Sequence, residues 1–120
     1  MSVVVSYLPT PEGEVALSYA VREVAAHGGN LIVVPSRAGR DGNEIARAMR
    51  DAGADDVESE VLEPSGDDVT EFLLETARSR SARLLVIGLR RRSPVGKLIL
   101  GSHAQRILLD ADCPVIAVKP

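Results

Sequence analysis

Residues 88–102 read Gly-Leu-Arg-Arg-Arg-Ser-Pro-Val-Gly-Lys-Leu-Ile-Leu-Gly-Ser, and their types suit the holding of an anion. Arg90, Arg91 and Lys97 are the candidate anion contacts, since guanidinium groups take phosphate oxygens two at a time. Gly101 and Ser102 open a helical pattern, where the first backbone N–H groups and the helix dipole favour negative charge. Gly88 marks the abrupt end of the apolar run that precedes the arginines. Arg90 and Arg92 also suit a solvated loop, or pairing with acids across a dimer interface. Arg91 either fills phosphate space or takes a smaller anion.

The residues do not compose a catalytic set. His103 follows Ser102 directly, and neighbours on a helix point about 100° apart, so the two make no nucleophile–base pair. Gly96-Lys97 has the form of a phosphate-loop ending, but that motif needs glycine at 91 and Ser or Thr at 98; the chain has Arg91 and Leu98. Cys113 is the single cysteine, which leaves no internal disulfide and no cysteine-rich metal site. Asp41, Asp55, Asp56, Asp67 and Asp68 fall in turns or caps, and no carboxylate pair stands at the end of the first strand. We expect no metal and no catalytic residue.

These residues must be placed by a regular alternation of elements. Val3-Val4-Val5, Leu31–Val34, Leu84–Ile87 and Val115–Val118 are short apolar runs of strand type. Val57–Glu63 alternates, with acids at 58, 60 and 63. Helical stripes separate them: Leu17, Ala20, Val21, Val24; then Ile45, Ala48, Met49, Ala52; then Val69, Phe72, Leu73, Thr76, Ala77; then Ala104, Ile107, Leu108, Ala111. Thr10 caps the first helix with Pro11 at its first position, and Asp41 caps the second. Ser102-His103-Ala104-Gln105 has the form of a capping box for the last. Aromatics are only 2% of the residues, so the core is aliphatic.

Such β-α alternation predicts a doubly wound α/β fold: a five-stranded parallel sheet with helices on both faces and right-handed crossovers. The acidic third strand belongs at an edge, where charge deters unwanted pairing. That selects the strand order 3-2-1-4-5. The order reverses between strands one and four, so a ligand crevice is expected beyond their C-terminal ends, at Tyr7–Thr10 and Gly88–Ser93. The opposite edge, Val115, Ile116, Ala117 and Val118, carries no charge, and only Lys119 and Pro120 follow it in this sequence. We expect a homodimer paired through this strand.

The formal net charge of −3 argues against a general nucleic-acid binder. There is no signal-peptide pattern and no apolar run long enough for a membrane span. The expectation is one cytoplasmic domain spanning residues 1–120, with no nucleic-acid or membrane partner.

At this point the residues resemble the universal stress protein family, over essentially the whole chain. The resemblance is strongest from Val86-Ile87-Gly88 through Gly101-Ser102, and at Asp112-Cys113-Pro114-Val115. Family members show G-x2-G-x9-G-[ST] after the fourth strand, used in ATP-binding members to hold phosphates and ribose. Gly88 and Gly101-Ser102 match its ends; Arg91 stands at its second glycine. ATP-binding members also place an aspartate after the first strand, where this chain has Leu8. The loop between strand two and the next helix, Pro35–Gly42, is short for the family. The resemblance implies the adenine-nucleotide alpha-hydrolase-like fold, a dimer through the fifth strand, and a stress-response role without catalysis. It implies a crevice for ATP or AMP, with Thr10, Gly88, Gly101 and Ser102 on the ligand and Val34 against the base. Leu8 and Arg91 motivate the alternative, a dimeric scaffold that binds no nucleotide.

Overall fold

The computed structural model describes residues 1–36, 41–91 and 98–120. Strands β1 (Ser2–Tyr7), β2 (Asn30–Pro35), β3 (Ser59–Val61) and β4 (Leu84–Gly88) alternate with helices α1 (Pro11–His27), α2 (Gly42–Asp51) and α3 (Val69–Ser79). A short ribbon, β5 (Arg90–Arg91) with β6 (Leu98–Ile99), precedes α4 (Ser102–Asp110) and β7 (Val115–Val118). The main sheet is parallel with the order β3-β2-β1-β4-β7, as the charge argument expects. β3 is shorter than the alternating run that predicted it, covering Ser59–Val61 alone.

The two-residue strand period sorts the core into two layers. Val3, Val5, Tyr7, Leu31, Val33, Leu84 and Val86 face α1 and α2, where they meet Ala16, Leu17, Ala20 and Ile45. Val4, Ile32, Val34, Leu85 and Ile87 face the other way, onto Leu73, Ala77 and Ile107 of α3 and α4. The three inner strands are therefore apolar along Val3–Val5, Leu31–Val34 and Leu84–Ile87, as burial on both faces requires. The α4 stripe is narrower than its spacing predicts. Ile107 is buried and Ala104 and Ala111 half-buried, but Leu108 is exposed along with Leu109.

The end of α1 is pinned to the start of β4 by a side chain. Arg83 pairs with Glu23 at 3.1 Å and donates to the backbone carbonyls of Glu23 and Gly28. Both carbonyls belong to the helix C-terminus, where a cation is favoured. Arg83→Ala is expected to lower stability by about 1–2 kcal/mol, read as a shift in urea midpoint at unchanged slope.

Candidate functional site

The strand order places its reversal between β1 and β4, and three helix starts surround that point. Thr10 ends the β1 loop and caps α1: its Oγ1 accepts the Gly13 amide at 3.2 Å, with Pro11 at the first helical position. The turn is folded tightly onto the helix. A Cβ on Gly13 would lie 1.9 Å from the Leu8 carbonyl oxygen. Helix α1 in turn crosses close over the end of β4. A Cβ on Gly88 would lie 2.4 Å from the Glu12 carbonyl oxygen. The absence of a side chain at Gly88 is thus demanded by backbone packing, whatever the site holds.

The last helix presents its N-terminus with little of its own to satisfy it. Gly101, not Ser102, is the N-cap, and α4 has no side-chain cap. The expected capping box does not form, because Ser102 lies one position inside the helix and Gln105 donates instead to the Leu100 carbonyl at 2.9 Å. Among the described residues, nothing lies within 4 Å of where a Gly101 Cβ would be. The helix is aimed by its packing on α3. His103 Nδ1 shares a 2.8 Å hydrogen bond with the Thr70 hydroxyl, which is buried. Arg106 reaches Asp68 at 2.9 Å and also Glu71. Asp68 caps α3 by accepting the Glu71 amide. That bond, and then Arg106, hold its carboxyl below the usual carboxylate range.

Two residues of the basic stretch, Arg90 and Arg91, are in a strand. Arg90 and Arg91 pair antiparallel with Ile99 and Leu98. This ribbon was not legible beforehand, because two-residue strands carry no periodicity. Arg90 is exposed. Lys97 and Arg92 lie outside the described residues, as does the Arg91 side chain. The chain therefore gathers Thr10, Gly88, Gly101 and Ser102 at the C-terminal edge of the sheet. Val34 is not among them. It is fully buried in the layer beneath α3, with no surface to lay against a base.

Three further residues at this edge have surroundings that their types do not announce. The Ser36 hydroxyl, just past β2, is buried without a hydrogen-bond partner among the described residues, while its amide donates to the Tyr7 carbonyl at 2.9 Å. Such a group costs about 1–3 kcal/mol unless something pairs with it. Glu12, in the first turn of α1, is 8% exposed, with its Cβ against Gly88. Tyr7 ends β1 almost wholly buried, and burial, then Glu14 and Glu44, push its phenol above the ordinary 10.0. A raised value means that the fold favours the neutral phenol. Its stabilisation is complete below pH 10 and is lost as pH rises through the folded value. An alkaline absorbance titration against Tyr7→Phe should show the Tyr7 phenolate appearing later in the folded chain than in urea.

With this geometry in view, comparison with known proteins is informative. The profile of the Universal stress protein family matches residues 35–119. A universal stress protein of Mycolicibacterium smegmatis is 42% identical over 127 residues, covering 98% of this chain and 97% of that one. The chain belongs to the universal stress protein family. Its fold agrees: a universal stress protein structure from Archaeoglobus fulgidus superposes with a TM-score of 0.80 at 30% identity, over 99% of this chain and 98% of that one. Two further structures share the fold at lower identity. One is the Archaeoglobus fulgidus universal stress protein in complex with dAMP, at TM-score 0.75 and 24% identity, covering 99% of this chain and 98% of that one. The other is a universal stress protein in complex with cAMP, at TM-score 0.74 and 22% identity, covering 98% and 95%. Among the described residues no helix is long and apolar enough to cross a membrane, and no group of three or more His, Cys, Asp or Glu could hold a metal ion.

Proposed function

We propose that this universal stress protein is a cytoplasmic, homodimeric stress-response protein of one domain, which holds an adenine nucleotide, ATP or AMP, in an altered crevice and does no chemistry on it. The observation that carries the reading is the start of α4, which has no side-chain cap and where a Cβ on Gly101 would meet nothing within 4 Å among the described residues. Phosphate suits that place. Gly101 and Ser102 would take it, with Arg90, Arg91 and Lys97 adding charge, and Thr10 and Ser36 offering hydroxyls to the sugar or base. The neighbours solved with dAMP and cAMP give the fold a precedent for the ligand class. Catalysis is left out of the reading because His103 is engaged by Thr70 and points away from Ser102's direction on the helix.

Melting curves with ATP, ADP and AMP test this. Millimolar ligand over a micromolar dissociation constant should stabilise by about 4 kcal/mol. No shift with any nucleotide would count against the reading and favour the second one, a dimeric scaffold that binds none. Leu8 favours that alternative, since a leucine cannot accept a hydrogen bond from a ribose hydroxyl. If the scaffold reading holds, Leu8→Asp with Arg91→Gly should create binding that the unchanged protein lacks.

A further inference from the structure

Among the described residues Glu12 is the only buried acid. Glu14, in the same turn of α1, is exposed. A first-turn acid gains from the helix dipole whether or not it is covered, so the dipole does not account for the burial. Enclosed acids are normally paired. The acids of α3 follow that habit even at the surface, where Arg78 and Arg106 hold them. The Glu12 carboxylate takes no hydrogen bond and no ion pair among the described residues. Nor is it sealed in. The side-chain oxygen that lacks both a partner and contact with solvent is that of Ser36, so the unpaired Glu12 oxygens keep an opening.

The backbone places this side chain beside the start of α4. The Glu12 Cβ would lie 3.1 Å from a Cβ on Gly88, so the side chain leaves α1 over the end of β4. Glu14 leaves on another side and lines a hollow toward α2. The ribbon then returns the chain to the same place. Arg90 pairs antiparallel with Ile99, and Gly88 and Gly101 lie two residues outside that pair, one on each arm. Glu12 therefore stands where α1, the end of β4 and the start of α4 meet.

Its charge there selects the ligand. A carboxylate near the α4 amides opposes a bare anion, since like charges repel. It can only accept hydrogen bonds. It thus favours an anion that carries donors next to its charged group. In a nucleotide the sugar is joined directly to the phosphate and carries hydroxyls. We propose that Glu12 accepts hydrogen bonds from the sugar hydroxyls, a role that rests on the nucleotide reading and makes the crevice select ribonucleotides over nucleotides whose sugar lacks them.

Calorimetric titration of the full chain with AMP, and with dideoxy-AMP that lacks both sugar hydroxyls, tests this. The unchanged protein should bind AMP at least about tenfold more tightly, as a hydrogen bond to a charged group implies. Glu12→Ala should weaken AMP about tenfold and leave dideoxy-AMP within about twofold, which removes the preference. Glu12→Gln keeps the shape and one acceptor and should retain a preference of about threefold. A variant that merely disturbs the start of α1 weakens both nucleotides alike, so the ratio of the two affinities isolates the contact. Equal affinity of the unchanged protein for both, an undiminished preference in Glu12→Ala, or equal weakening of both would overturn the role of Glu12 and leave the nucleotide reading standing. Binding of neither nucleotide by the unchanged protein would overturn both.

Discussion

Gly13→Ala and Gly88→Ala are each expected to cost about 2–4 kcal/mol, while Gly101→Ala should stay within about 0.5 kcal/mol. The three glycines look alike in the sequence and differ in what surrounds them. At Gly13 a methyl group would sit 1.9 Å from the Leu8 carbonyl oxygen, and at Gly88 2.4 Å from that of Glu12. Both obstacles are backbone, so no side chain can swing aside. The β1–α1 turn or the whole of α1 must shift, and both define the crevice. At Gly101 the methyl would meet nothing within 4 Å. Chemical denaturation of the three variants gives the ranking. A Gly88→Ala protein as stable as the parent would remove the packing account of that glycine and return it to the ligand. A Gly101→Ala protein of unchanged stability that loses nucleotide binding would place the ligand at the α4 start.

The second large effect concerns assembly. In solution the protein is expected to sediment as two chains, and Ala117→Pro to leave single, folded chains, with dimer affinity down at least about a hundredfold. The choice of residue follows from the ladder. Leu85 donates to the Pro114 carbonyl and Leu89 to that of Val118, so residues 114, 116 and 118 turn their backbone groups inward to β4. By alternation Val115 and Ala117 turn theirs to the open edge. Proline at 117 removes an outward donor and spares the internal ladder. Ile116 is a poorer choice, because its side chain packs in the layer beneath α1 and a charge there would disturb the fold itself. Exposed Leu108 and Leu109 on the adjoining α4 add apolar surface near this edge. A single-chain species for the unchanged protein would end the edge-pairing argument, as would an Ala117→Pro dimer of undiminished affinity.

Much of the architecture is local information. The apolar runs of β1, β2 and β4 need burial on both faces, the helical stripes supply the covers, and the acids of residues 57–63 push β3 to the rim. Thr10 and Asp41 cap their helices as their types and positions imply, accepting amides two or three residues on. The family could be read in the same way, because Gly88, Gly101-Ser102 and Asp112-Cys113-Pro114 keep fixed spacing along the chain.

The stretch 88–102 was less transparent. Its ribbon depends on a pairing of two residues with two, which leaves no pattern to detect. The capping box at Ser102 failed because the helix starts one residue earlier than the motif assumes, and Gln105 found a carbonyl partner at Leu100. Val34 looked available at a strand end, yet α3 covers it completely. The hollow between the first turns of α1 and α2 is the clearest case. Tyr7 lies 34 residues or more from Asp41, Glu44 and Asp51, and only the parallel pairing of β1 with β2 brings them to one place. Sequence by itself determined the fold class, the strand order and the family, since each rests on residue type and spacing within single elements. Which hydroxyl is left without a partner and which glycines are forced were decided by the tertiary structure, because each depends on atoms that meet only when the elements pack.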